Sequence, residues 1–471
     1  MEYERRLDAR LVLSVVAAGI MSFSGVVVET AMNVTFPTLM AEFHVGTSTV
    51  QWMTTSYLLV LAAIVPTSAW MSRRFPTRRV FLVAMAFYIS GITCGACAQS
   101  FPMLLCGRIL EGCGTGIALP LMFNIIQEQA PLQNMGTMMG VGSFVTAMAP
   151  AIGPSLGGWV AENLGWRWIF IGLLPILAVA LVMGATTIRQ SHQAGPSPFD
   201  VAGWVTLVAS FASLVFATSG AGERGWGSPD VIALLVAFVA LLALFLRRTR
   251  ARARDGRAVL VSPDVFSHRG FSLSVLALVL VQFCVLGLSF LLPNYSQLVM
   301  GHGATEAGSI LLPGCVVGAL LAPLSGKMLD TLGARPPIVV GSLCMLAANV
   351  LFLVTAGGSG LQTAGAMGIY VLFAFGQGLS IGNTMTNGLS FLPGSERPDG
   401  NAVINTLQQL SGAVGTSVVT TIVQASQSAA GGSRLAASTM AGTGNAYLVL
   451  VVVATGVLAS QLGALSSPRE G

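Results

Sequence analysis

Three ionisable residues stand inside long apolar stretches of this 471-residue chain: Glu29, Arg108 and Glu111. A charge in hydrocarbon is costly, so each is a candidate for function by default. Glu29 lies eight residues before Pro37, and Arg108 lies six residues after Pro102, at what read as the outer ends of two helices. At 1.5 Å per residue both sit roughly 9–12 Å below the same boundary. Glu111 follows three positions after Arg108 and shares its helix face. Burial disfavours a bare carboxylate and a neighbouring guanidinium favours it. A carboxyl held between those influences can exchange a proton, or bind a cationic solute in its place. The alternative is a static ion pair that holds helices together.

Uncharged polar residues form a second set. Asn33 and Asn124 fall in the first half, Gln282 and Tyr295 around the ninth apolar run, and Asn383 near the end of the twelfth. Asn405, Gln408 and Gln409 gather near one face at the start of the thirteenth. Amides facing lipid would be unsatisfied, so these face protein or a wet cavity; helix-to-helix bonding and substrate lining both remain open. Residues 140–160, GVGSFVTAMAPAIGPSLGGWV, carry Ala149, Gly153 and Gly157 at four-residue spacing, which permits close helix contact. Pro150 and Pro154 each remove a backbone donor and can bend that helix. Cys94 and Cys97 form a C-x-x-C in apolar surroundings without a second pair or a nearby His, and read as packing residues rather than metal or redox groups.

The elements that carry these residues follow from composition. The chain is 54% hydrophobic and 9% charged, far below the roughly 25% charged of a soluble domain. The apolar residues fall into fourteen runs between residues 11 and 464, of about 18–24 residues each, the length that crosses the hydrocarbon of a bilayer. The break between the eleventh and twelfth runs, from Ala356 to Thr363, has only Gly and Ser to mark a turn. All but one of the 23 basic residues are Arg, set in the short breaks between runs. With the N-terminus inside, nineteen fall in cytoplasmic breaks and three in external ones, with Arg108 left inside a helix. That split predicts cytoplasmic N- and C-termini and an even helix count, and it leaves no nucleic-acid role for the net charge of +5. The first run contains Glu29 and no cleavage site follows it, so it reads as an uncleaved helix rather than a signal peptide. The densest basic stretch, RRTRARARDGR at 247–257, reads as a topology anchor, with a lipid-headgroup site as the alternative.

The chain also repeats. PTSAWMSRRFPTRRVFL at 66–82 and PLSGKMLDTLGARPPIV at 323–339 align Arg73 with Asp330, 257 residues apart. Both lie on the same side, so the repeat is parallel, the arrangement of two six-helix bundles with a cavity between them. The expected organisation is an N-terminal six-helix bundle over residues 1–190, two inserted helices and a basic linker over 191–269, and a C-terminal six-helix bundle over 270–471.

Several segments in order resemble the major facilitator superfamily, specifically its fourteen-helix drug:proton antiporters of the EmrB/QacA type. GKMLDTLGAR at 326–335 is similar to the superfamily's loop motif, with Gly326, Asp330, Gly333 and Arg335 in place. LLCGRILEGCGTG at 104–116 resembles the helix-four motif, whose Arg is Arg108. APAIGPSLGG at 149–158, with Gly153, Pro154 and Gly157, resembles the helix-five motif associated with antiporters. ETAMNVTFP at 29–37 and PFDVAG at 198–203 resemble the first helix and the first inserted helix of these exporters. Two departures stand out. The first loop motif reads AWMSRRFPTRR, so that Ala69, Arg73 and Pro76 replace Gly, Asp and Gly, with Arg78 further along. The helix-one acid is Glu29, one position after the usual Asp site at Val28, a form similar to a branch that includes lincomycin-resistance exporters.

The resemblance implies a transporter and not an enzyme. It implies export of small, lipophilic or cationic drugs by alternating access, driven by the proton gradient with no cofactor and no metal. Glu29 would carry the proton, with Arg108 and Glu111 beside it, and the loop and helix-five motifs would serve gating. The setting would be the bacterial plasma (inner) membrane, and the protein a monomer. An exporter or importer of a metabolite or lipid would share this fold, and so, more remotely, would a non-transporting sensor.

Overall fold

The computed structural model describes residues 8–45, 47–50, 52–190, 195, 198–257, 259–357, 361–429 and 435–468. Regular structure among them is helical throughout, with no strand. That is the expected outcome for a chain in hydrocarbon, where a helix satisfies its backbone groups within itself. The first half contains α1 (Ala9–Val34), α2 (Trp52–Arg74, with a 3-10 turn at Val65–Thr67), α3 (Thr77–Ala96) and α4 (Phe101–Gln129). It continues with α5 (Met135–Asn163) and α6 (Arg167–Thr187). Then come α7 (Val201–Arg224) and α8 (Pro229–Arg254). The second half contains α9 (Arg269–Leu298), α10 (Leu312–Leu332), α11 (Arg335–Gly357), α12 (Thr363–Ser390), α13 (Arg397–Ala429) and α14 (Leu435–Leu465).

By length and composition, twelve of these helices among the described residues can cross a membrane. α5 makes thirteen if its two arms, bent by 43° between Pro150 and Ile152, form one span. The prolines expected to shape this helix sit at the bend. α13 is 33 residues long, but its amides lower its hydropathy and composition alone does not mark it as a span. The doubtful break between α11 and α12 is real on both flanks; its residues 358–360 lie outside the described set.

One boundary departs from expectation. The first helix was expected to run to residue 36, but α1 stops at Val34. The Thr35 hydroxyl donates to the Met32 carbonyl at 2.8 Å, and Pro37 enters the first turn of a separate short helix, Phe36–Phe43. A proline is tolerated there because its missing N–H needs no partner in a first turn. The short helix ends on His44 in the left-handed conformation, φ 53°.

The largest apolar cluster draws mainly on α1 and α3–α6, and the second on α9–α12 and α14 with part of α13. The seam between them is made chiefly by α5 against α10, the most extensive helix pair in the molecule, with α12 also on α5 and α13 on α2 and α4. Gly136 meets Gly326 and Gly140 meets the Ala322 carbonyl, so that a Cβ at any of these glycines would overlap backbone or a neighbouring side chain. α7 lies against α2 and α13 through Leu207, Phe211 and Val215, and α8 packs almost entirely on α7. Asp8 and Arg189 pair at 2.6 Å where α1 begins and α6 ends. Successive helices alternate in direction, so Arg73, Asp330 and Asp399 lie at this same end, called here the basic end.

Candidate functional site

α4 carries Gly107, Gly112, Gly114 and Gly116, and neighbouring helices use the space they leave. Gly107 and Gly114 meet α3 at Gly91 and Tyr88, whereas Gly112 and Gly116 meet α2 at Val60 and Ile64. α2 and α3 thus close over α4 and seal Arg108 and Glu111. Arg108 and Glu111 are each 1% exposed and pair at 2.5 Å, Nη1 to Oε2. The guanidinium also lies over the Tyr57 ring, 4.3 Å from its centroid, a cation–π contact that is strongest when desolvated. Among the described residues, Arg108 Nε, Glu111 Oε1 and the Tyr88 hydroxyl are buried without a hydrogen-bond partner. Breaking a buried pair by removing one member costs about 3–5 kcal/mol; the pair lies within α4, and the Tyr57 contact ties it to α2.

Glu29 sits differently. Gly25 of α1 packs directly on Thr115 of α4, and the two helices run antiparallel. Four residues on, Glu29 comes level with Glu111, and Arg108 lies one turn beyond, about 4.5 Å along the axis. Arg108 and Tyr57 are each within electrostatic reach of both Glu29 and Glu111. Yet Glu29 is only half-buried and makes no ion pair or hydrogen bond among the described residues. The result is a partly buried carboxyl without a bonded partner, near a sealed cation that already has one.

The amides divide among three settings. Asn124 and Asn405 meet in a ladder across the seam: Asn401 donates to Asn124 Oδ1 at 2.6 Å and to the Pro120 carbonyl at 2.9 Å, and Asn405 donates to Asn401 Oδ1 at 2.7 Å. Asn383 and Tyr295 are spent inside the second half. Asn383 donates to Ser325 Oγ at 2.6 Å, and the Tyr295 oxygen accepts from Leu361 N–H at 3.3 Å. Gln282, Gln408 and Gln409 are half-buried; Gln409 borders a small apolar gap with Leu58 and Val215 where α2, α7 and α13 meet. The side chain of Asn33 lies outside the described residues.

At the basic end the two repeat motifs each reach the opposite bundle, with opposite charge. Asp330 accepts from Gly136 N–H at 2.8 Å, Thr137 N–H at 2.9 Å and the Thr137 hydroxyl at 2.8 Å, at the start of α5. A carboxylate there satisfies donors that a helix N-terminus leaves open. Arg73, its counterpart, donates to both oxygens of Asp399 at 2.9 and 2.8 Å in the first turn of α13, and to the carbonyls of Val259 and Leu260 at 3.2 Å. Gly326 lies under Gly136, Gly333 ends α10 at φ 83°, and Arg335 and Arg78 are exposed at the starts of α11 and α3. In α5, Gly153 and Gly157 bring α1 close at Thr30 and Ala31, and Pro154 follows the bend. Sequence reading missed Tyr57 and Asp399. The first has no signal in an apolar run; the second has one, since Arg73 in an acid's place calls for an acid opposite.

The model of the Major Facilitator Superfamily matches residues 18–416. The chain belongs to that superfamily. It is a membrane transporter, therefore, and not an enzyme. It is 34% identical over 457 residues to the lincomycin resistance protein LmrB of Listeria monocytogenes, covering 95% of this chain and 96% of that one. It is also 34% identical to the Bacillus subtilis protein of the same name over 419 residues, 88% and 86% of the two chains. The multidrug resistance protein B homolog of Mycobacterium tuberculosis is 27% identical over 423 residues, 89% and 78%. The facilitator fold itself is shared with the proton:xylose symporter XylE, at a TM-score of 0.66 and 15% identity over 98% of this chain and 96% of that one.

Proposed function

We propose that the chain is a proton-coupled antiporter that exports small lipophilic or cationic drugs across the bacterial plasma membrane by alternating access, acting as a monomer. Support for drugs as cargo comes from relatives named for lincomycin and multidrug resistance. The observation that supports proton coupling is the partly buried Glu29, whose carboxyl has no bonded partner among the described residues, beside the sealed Arg108–Glu111 pair. A bare Glu29 carboxylate is attracted by Arg108, while Glu111 partly offsets that cation. The carboxyl can therefore take up and release a proton without tearing open a bonded pair. In the proposed cycle a proton enters from the outer side onto Glu29, the bundles rock, and the proton leaves inward as the drug is carried out.

The architecture belonging to this reading has fourteen spans, with the bent α5 and the amide-faced α13 joining the twelve. Residues 1–190 and 270–471 form the two rocking bundles, and 191–269 the inserted pair. The basic end faces the cytoplasm with both termini. The Arg73–Asp399 pair, the Asp330 cap on α5 and the Asn401 ladder then close the cytoplasmic side. The half-buried Gln282, Gln408 and Gln409 stand as cavity candidates; Asn124, Asn383, Asn405 and Tyr295 act in structure and gating.

Everted vesicles test the assignment. Glu29→Gln is expected to abolish uptake of a lincosamide or a cationic dye driven by an imposed pH gradient, at normal expression. Full uptake in that variant would remove Glu29 from the mechanism.

A further inference from the structure

α8 presents one continuous stripe to its surroundings, apolar for most of its length and cationic at its end. Ile232, Val236, Val239 and Ala243 are exposed along it, Val236 and Val239 at 62% each. Arg247, Arg250 and Arg254 continue the same line and are also exposed. At 100° per residue all seven positions fall within a sector of about 80°. The opposite side is buried at Val231, Phe245 and Thr249. Only 11% of this span is buried inside the protein, the lowest share of the twelve, so its outer face is covered by lipid.

Two more arginines of the same segment behave otherwise. Arg248 and Arg252 turn inward to Asp200, at 3.4 and 3.5 Å. Asp200 is 4% exposed and caps the start of α7. One buried carboxylate thus holds the inner pair and fixes the rotation of α8. The guanidiniums of Arg247, Arg250 and Arg254, with that of Arg257 just past the helix end, make no ion pair or hydrogen bond among the described residues.

We propose that this stripe is a binding site for the headgroups of anionic glycerophospholipids in the leaflet at the basic end. An orientation signal requires basic charge near the end of a span, not a particular azimuth. Here three cations are aligned beneath an exposed aliphatic track, while two others share the Asp200 carboxylate on the far side. That layout matches an amphiphile: acyl chains lie along Ile232, Val236 and Val239, and the phosphate of the same molecule arrives among the guanidiniums. A guanidinium can hold phosphate oxygens two at a time. Arg247 to Arg254 spans about 10 Å of helix rise, so the stripe extends through the headgroup layer instead of stopping at one depth. A soluble anion would have no use for the apolar half.

The test uses the full-length protein reconstituted with mixed phosphatidylglycerol and phosphatidylcholine. Co-purifying lipid is counted by native mass spectrometry after mild detergent exchange, and competition is measured with a spin-labelled anionic lipid. Each arginine near an anionic surface is worth about fivefold in binding. The Arg247→Gln/Arg250→Gln/Arg254→Gln variant is therefore expected to lose tenfold or more of the preference for phosphatidylglycerol. A triple Lys variant should keep more of that preference than the Gln variant, and Arg74→Gln/Arg79→Gln, exposed arginines at the same end but off the stripe, should lose clearly less of it than the triple Gln variant. Inorganic phosphate should not displace the bound lipid. Monodisperse elution of each variant establishes that it is folded. An undiminished preference in the triple Gln variant, an equal loss in the Arg74/Arg79 control, or displacement by inorganic phosphate would overturn the proposal.

Discussion

Arg108 and Glu29 should respond to substitution in opposite ways, because one is bonded and the other is not. Arg108→Leu strands Glu111 in a sealed site and removes the cation from the Tyr57 ring. Its expected cost is about 3–5 kcal/mol of stability, read as a large drop in the melting temperature of the detergent-solubilised protein. Glu29→Gln breaks no bond, so its melting temperature should stay close to wild type, within about the 0.5 kcal/mol typical of substitutions that break nothing. Equal destabilisation by both would contradict the geometry described. All three charges were legible in the sequence, because a charge in an apolar run stands out. The difference between them was not: matched depth suggested only a shared charge network, and the antiparallel register set by Gly25 on Thr115 puts Glu29 level with Glu111. Tyr57 was invisible for the plain reason that a tyrosine in an apolar run looks like any core aromatic.

At the scale of elements, the loop of each repeat ends on the first turn of a helix in the other bundle. Asp330 does so as an anion at α5, and Arg73 as a cation against Asp399 of α13. Arg73→Asp and Asp399→Arg should each weaken this closure by roughly 2–3 kcal/mol, below a sealed pair because Arg73 is a third exposed. Cysteine labelling from the basic end would rise in each single variant. The double Arg73→Asp/Asp399→Arg variant should restore protection; failure to recover would show that the closure does not rest on this pair. On the far side, Glu42 joins the short helix Phe36–Phe43 to Arg167 at 2.8 Å and to Trp166 Nε1 at 2.7 Å. Desolvation pushes its carboxyl up, but the Trp166 and Arg167 hydrogen bonds and the Arg167 charge outweigh this and hold it below the ordinary 4.5. A depressed value means that its stabilisation is complete above 4.5 and fades as pH falls through the lowered value. Glu42→Gln should therefore show a smaller loss of melting temperature below about pH 4.5 than wild type. The bend in α5 was readable from Pro150 and Pro154, since proline acts locally. The split at Thr35 was not, because Pro37 fits a helix start as well as a helix end.

For the whole molecule, the charge alternation in the sequence predicts fourteen spans, whereas length and composition mark twelve among the described residues, or thirteen with the bent α5. The polar face of α13 lowers its hydropathy, yet its amides at Asn401 and Asn405 face the seam and not lipid. The periodic placement of those amides was visible in the sequence, whereas their partners, Asn124 and the Pro120 carbonyl, belong to a helix about 280 residues away. Long-range partners of this kind follow from packing, which no single segment encodes. The same distance explains why the sequence left open whether these amides join helices or line a cavity.

Proton coupling through Glu29 is the central claim, and purified protein in proteoliposomes tests it most directly. With a pH-sensitive dye reporting lumenal pH, a lincosamide gradient imposed across wild-type liposomes should drive proton movement in the opposite direction. Glu29→Gln should still exchange labelled substrate across the membrane at equilibrium while moving no protons with it. Substrate-driven proton movement of wild-type size in the Glu29→Gln liposomes would contradict the account, as would its absence in wild-type liposomes that transport the substrate.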